Sequence, residues 1–129
     1  MANQFVVELK NHPGALAVLA EALAERGIDL RAIGGGGIGD SGHIIMTTAD
    51  DDGARAVLQA GEYTFIEGES ILAEVDDRPG GMARLSRQLA DAGVNIYGHL
   101  FLGRWGDRAM FAFVVDNPEK ARPILERKG

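Results

Sequence analysis

The chain has 129 residues, 46% of them apolar and 25% charged, which is ordinary globular composition. Its formal charge of −6 and pI near 5.0, with no run of Lys or Arg, argue against nucleic acid or an anionic membrane as partner. Cysteine is absent, which excludes disulfides, thiol nucleophiles and thiolate-held metal.

No stretch approaches the roughly 18 apolar residues of a membrane span, and Met1 to Leu9 lacks a signal-peptide pattern. A cytoplasmic setting is expected. From the N-terminus, Phe5 to Leu9 is a β-rich run stopped by the turn Asn11-His12-Pro13-Gly14. Leu16, Leu19, Ala20 and Leu23 then keep helical spacing until Gly27 closes the helix. Ile28 to Ile33 reads as a second strand, and Gly39-Asp40-Ser41-Gly42 as a hairpin turn into the strand His43 to Thr48. Asp50-Asp51-Asp52 suits the positive end of a helix over Gly53 to Gln59, and Tyr63 to Ile66 is a fourth strand. The order β-α-β-β-α-β is the ferredoxin-like arrangement, an α+β fold with helices on one face of an antiparallel sheet.

The same order then returns. Asn11-His12-Pro13-Gly14-Ala15-Leu16 is echoed by Asp77-Arg78-Pro79-Gly80-Gly81-Met82, and Gly27-Ile28-Asp29-Leu30 by Gly93-Val94-Asn95-Ile96, at a constant offset of 66 residues. This reads as duplication of a folded unit, with repeats at 1–68 and 69–129. The second copy predicts a strand over Ile71 to Val75, a helix from Pro79 to Ala92 and a strand from Val94 to Leu102. A turn at Gly106-Asp107 follows, then a strand over Ala109 to Val115 and a helix from Pro118 to about Arg127. Pro123 should shorten, kink or delay that last helix. The counterpart of Tyr63 falls on position 129, so the second copy is expected to lack its fourth strand and to leave a sheet edge open. Two-fold symmetry is common in small proteins, and a homodimer is therefore expected.

The repeated elbow is the motif that carries chemistry. Proline presets φ near the first helical position, and glycine lets the backbone approach whatever lies above the helix end. The following amides, at Ala15-Leu16 and Gly81-Met82, lack helical acceptors and together with the helix dipole suit a carboxylate. Asn11 or Asp77 could cap these amides or receive an ammonium. Asn/Asp-x-Pro-Gly is also simply a good helix start, and it is the ordered recurrence that favours a ligand.

With these residues in hand, the chain resembles the ACT domain family, and more closely proteins made of two ACT domains in tandem, from Phe5 to about Leu125. The resemblance implies a non-catalytic regulatory protein that binds a small amino acid or related carboxylate between ACT units. It points to Asn11, Gly14 and Asp29 in the first copy and to Asp77, Gly80 and Asn95 in the second. His12, Ala15, Leu16, Arg78, Gly81 and Met82 flank them. Each copy has one Asn and one Asp in opposite places, which leaves the ligand's identity open. A separate metabolic enzyme or regulator is the implied partner.

Other signals are weaker. Gly34-x-Gly36-x-x-Gly39 matches a dinucleotide fingerprint, but a hairpin follows it where a helix is required. The glycine run predicts a thin strand that admits a ligand or a neighbouring strand. His12, His43 and His99 lack metal-ligand spacing, and the acidic triplet lacks calcium-loop spacing. No cofactor is implied. No Ser/His/Asp or paired-carboxylate spacing is defensible, so catalysis by the chain itself is not expected. The remaining alternatives are a structural assembly module and a small ferredoxin-like enzyme.

Overall fold

The computed structural model describes residues 2–126. Its backbone divides into two compact units between Gly68 and Glu69. The first unit runs β1 (Asn3–Lys10), α1 (Ala15–Glu25), β2 (Leu30–Ile38), β3 (Ser41–Thr48), α2 (Asp51–Ala60) and all but the last residue of β4 (Phe65–Glu69). Its sheet order is β2-β3-β1-β4, with β1 and β2 both antiparallel to β3. The alternation of β1 and β3 sends Phe5, Val7, Ile44 and Met46 inward against Leu19, Leu23 and Leu58.

Glu67 on β4 organises the far end of this unit. It accepts two hydrogen bonds of 2.6 Å each from Arg55 on α2 and one of 2.7 Å from Asn3 Nδ2. The Arg55 guanidinium, and secondarily the Asn3 amide, hold its carboxyl below the usual carboxylate range against the opposing pull of burial.

The second unit runs β5 (Ile71–Asp76), α3 (Gly81–Asp91), β6 (Ile96–Trp105), β7 (Arg108–Val115) and α4 (Pro118–Leu125). Among the described residues its sheet has three strands in the order β5-β7-β6. Ile71, Val75, Phe113 and Val115 meet Leu85, Leu89 and Leu125 in its core.

Several boundaries differ from the sequence reading. The strand expected at Ile28 begins at Leu30 and runs on through the glycines to Ile38, because Gly34 to Gly37 pair residue for residue with Ile45 to Gly42. Ile28 and Val94 are instead buried connector residues, 8% and 5% exposed. Asp50 caps α2 by accepting from Gly53 N at 2.9 Å, which starts that helix at Asp51. Asn117 caps α4 with Pro118 in its first turn, and the helix ends two residues after Pro123. The Arg127 end expected for this helix lies outside the described residues.

Leu16 also departs from expectation. It shares helical spacing with the buried Leu19 and Leu23 but is 47% exposed, since helical side chains lean toward the N-terminus and carry it over the elbow.

Candidate functional site

Both elbows are built alike. Asn11 N donates to Asp40 O at 3.0 Å and Asp77 N to Asp107 O at 2.8 Å, so each elbow is tied to the hairpin turn of its own unit. Gly14 and Gly80 are the helix N-caps, at φ 91° and 93°. An L side chain is strained in that region, so both positions require glycine. Neither helix has a side-chain cap.

Asn11 and Asp77 do not cap the first turn, because both side chains are committed elsewhere. Asn11 Nδ2 donates to Gly39 O at 2.8 Å, and Asp77 accepts from Arg104 Nε at 2.8 Å. The first amide after each N-cap is also used locally: Ala15 N reaches His12 O at 3.3 Å and Gly81 N reaches Arg78 O at 3.1 Å. The amides without an acceptor inside the helix are therefore those of Leu16 and Ala17, and of Met82 and Ala83.

In the first unit the elbow forms one wall of a cleft of about 410 Å³, with Asn11, His12, Ala15 and Leu16 lining it. The facing wall is β2 and β3: Ile33, the glycine ribbon 34–37 and Ile44. The ribbon's glycines are sterically required at two points. A Cβ on Gly35 would lie 2.4 Å from His43 O, and one on Gly37 would lie 2.6 Å from Asn11 Cγ. Close approach within the unit thus explains these two glycines without a ligand, and their bareness keeps the wall open. No carboxylate lines this cleft, whereas Lys10 and His12 do. His12 Nδ1 lies 3.0 Å from Pro13 O, a hydrogen bond in the tautomer that carries the proton there. A larger groove of about 510 Å³ on the same unit has Glu8, Asp40 and Glu62 in its walls, which disfavours an anion.

The corresponding cleft of the second unit, about 370 Å³, is lined by Asp77, Arg78 and Met82 from the elbow and by Arg104 and Phe111 opposite. Pairing registers equate the walls. Gly35 faces Ile44 as Phe101 faces Phe111, and Gly37 faces Gly42 as Arg104 faces Ala109. The register shift between Phe101 and Gly103 adds one residue, so the repeat offset changes from 66 to 67 within β6. A gapless alignment of the copies conceals this. Phe101 stacks edge-on against Phe111 at 5.5 Å, and the Arg104 guanidinium carbon lies 4.7 Å from the Phe101 centroid. Asp76, the neighbour of Asp77, pairs with Arg78, Arg84 and Arg108.

Asp29 and Asn95 are not among the residues lining these clefts. Asp29 pairs with Arg31 at 3.3 Å and its carbonyl accepts from Ala49 N; Asn95 N donates to the Asp116 carboxylate at 2.9 Å, and Asn95 O accepts from Asp116 N at 3.0 Å. Sequence reasoning missed Lys10 and Ile33 in the first cleft and Arg104 in the second. Only the inserted Leu102 could have revealed the last of these.

Each of the two ferredoxin-like units thus has a glycine-capped elbow beside a cleft. Residues 4–60, within the first unit, match the family model described as ACT domain. The whole chain has the fold of a protein from Bacteroides thetaiotaomicron, at 23% identity and TM-score 0.72, covering 97% of this chain and 86% of that one. It likewise matches the regulatory subunits of aspartate kinase from Thermus thermophilus (23% identity, TM-score 0.61, 97% and 87% covered) and Thermus flavus (23%, 0.65, 97% and 88%). At these identities the likeness establishes the fold. No curated protein matches the chain in sequence. Among the described residues, no helix is long and apolar enough to cross a membrane.

Proposed function

We propose that the chain is a non-catalytic regulatory module whose first ACT unit binds a small amino acid or related carboxylate. The observation that carries this reading is the first unit's cleft, which faces a glycine-capped helix start and has no carboxylate among its lining residues. The helix start at Leu16, with Lys10 also lining the cleft, favours an anionic group. Apolar residues on the opposite wall suit the rest of the molecule.

Function then follows from linkage. A ligand that favours one packing of the ACT units changes the affinity of whatever recognises that packing, typically by about 1–3 kcal/mol. The regulatory subunits of aspartate kinase among the similar folds support a separate enzyme or regulator as the partner. A homodimer in the cytoplasm is the proposed state. It is supported by edge strand β2, where Ile38 is 89% exposed and Ile33 46%. Light scattering that shows only monomer at high protein concentration contradicts the dimer.

Thermal shift against the twenty amino acids tests the binding. A ligand at 100 times its Kd adds about 2.7 kcal/mol of stability. A flat response to all twenty contradicts the proposal and leaves an assembly role.

A further inference from the structure

We infer that the two clefts are not equivalent: the first takes an amino acid with an apolar side chain, while the second is kept from doing so by its own Arg104. The inference rests on the ligand-binding reading above. The clefts are close in size, about 410 and 370 Å³, so size does not separate them. Their charge does.

At the first elbow, Asn11 is neutral and the wall opposite it is bare glycine. Leu9, Leu16, Ile33 and Ile44 supply the apolar surface. A ligand carboxylate meets the helix start and the Lys10 ammonium, and its side chain meets aliphatic carbon. At the second elbow, the Asp77 carboxylate already holds a cation, the Arg104 guanidinium, at 2.8 Å. Arg104 reaches it from the position that Gly37 occupies in the first unit, and its carbon end rests over Phe101. The guanidinium stands where a ligand's ammonium would pair with Asp77. An incoming carboxylate at this elbow faces Asp76 and Asp77, both already paired within the protein. Arg104 is thus a resident substitute for the ligand's cationic end, and the chain takes one ligand rather than two.

Backbone amide spectra of the full chain, titrated with L-leucine, L-isoleucine, L-methionine and L-aspartate, test this. The inference expects an apolar probe to shift Asn11–Leu16 and residues 34–37 while 77–82 and 103–104 stay still. L-aspartate should act more weakly. The double variant Arg104→Ala with Asp77→Asn should add the second set of shifts and raise the stoichiometry from one to two per chain. The Arg104 Nε–H signal should shift when Asp77→Asn removes its carboxylate acceptor.

Equal response of both clefts in the wild type overturns the inference and leaves the ligand-binding reading standing. An Arg104 Nε–H signal that Asp77→Asn leaves unmoved also overturns it. No response at either cleft to any of the four probes overturns the apolar one-site claim, while the ligand-binding reading falls only with a flat thermal shift to all twenty amino acids.

Discussion

Where the first unit carries Gly35 and Gly37, the second carries Phe101 and Arg104 on the same positions of the same strand. The elbows opposite them are nearly superimposable in their hydrogen bonds and φ angles. The elbow geometry is therefore common to both units, and the facing strand differs in how bare it leaves the cleft and in the charge it brings. Duplication preserved the first feature and diversified the second.

Substitution at the close approaches should separate the units most sharply. Gly35→Val drives a branched side chain into His43 O and should cost about 3 kcal/mol, seen as a large fall in melting temperature with loss of binding. Gly81→Ala places a Cβ 2.2 Å from Asp76 O and should cost about 2 kcal/mol. Its counterpart Ala15→Gly should cost under about 1 kcal/mol, because that position already accepts a Cβ. Equal effects of the last two in denaturant melts would show that the elbows are packed alike after all.

Glu67 gives the first unit a pH signature. Its folded carboxyl titrates below its unfolded value, so its contribution is present above the ordinary carboxylate pKa of about 4.3 and is lost as pH falls through the folded value. Wild type should therefore lose melting temperature more steeply than Glu67→Gln as pH falls below that range. Parallel slopes would remove the Arg55 clamp from the account. Arg104→Ala should have the smallest effect on stability, within about 1 kcal/mol, because the Arg104 side chain is 62% exposed and its pair with Asp77 is screened by water.

Much of this was legible in the sequence. The Pro-Gly elbows, the helix-closing glycines and the alternation around Phe5 to Leu9 give the tandem ferredoxin-like plan directly. The reach of β2 was not legible, because glycine has low strand preference and only pairing with β3 holds residues 34–37 extended. The commitment of Asn11 to Gly39 and of Asp77 to Arg104 is likewise tertiary. Local sequence offers these side chains a helix cap, and the hairpin beside them supplies a competing partner. The exclusion of Asp29 and Asn95 from the clefts follows from the short connector each occupies, where each hydrogen-bonds across to the segment after β3 or β7.

The central claim is that the first unit's cleft is the ligand site. Ile33 stands in its wall, 46% exposed, so a carboxylate placed there alters the cleft without burying charge in the core. Calorimetric titration of wild type and Ile33→Glu with the amino acid giving the largest thermal shift is the most direct test. The account predicts binding at least about tenfold weaker in Ile33→Glu, from like-charge repulsion of the ligand carboxylate. Unchanged affinity in that variant would contradict it.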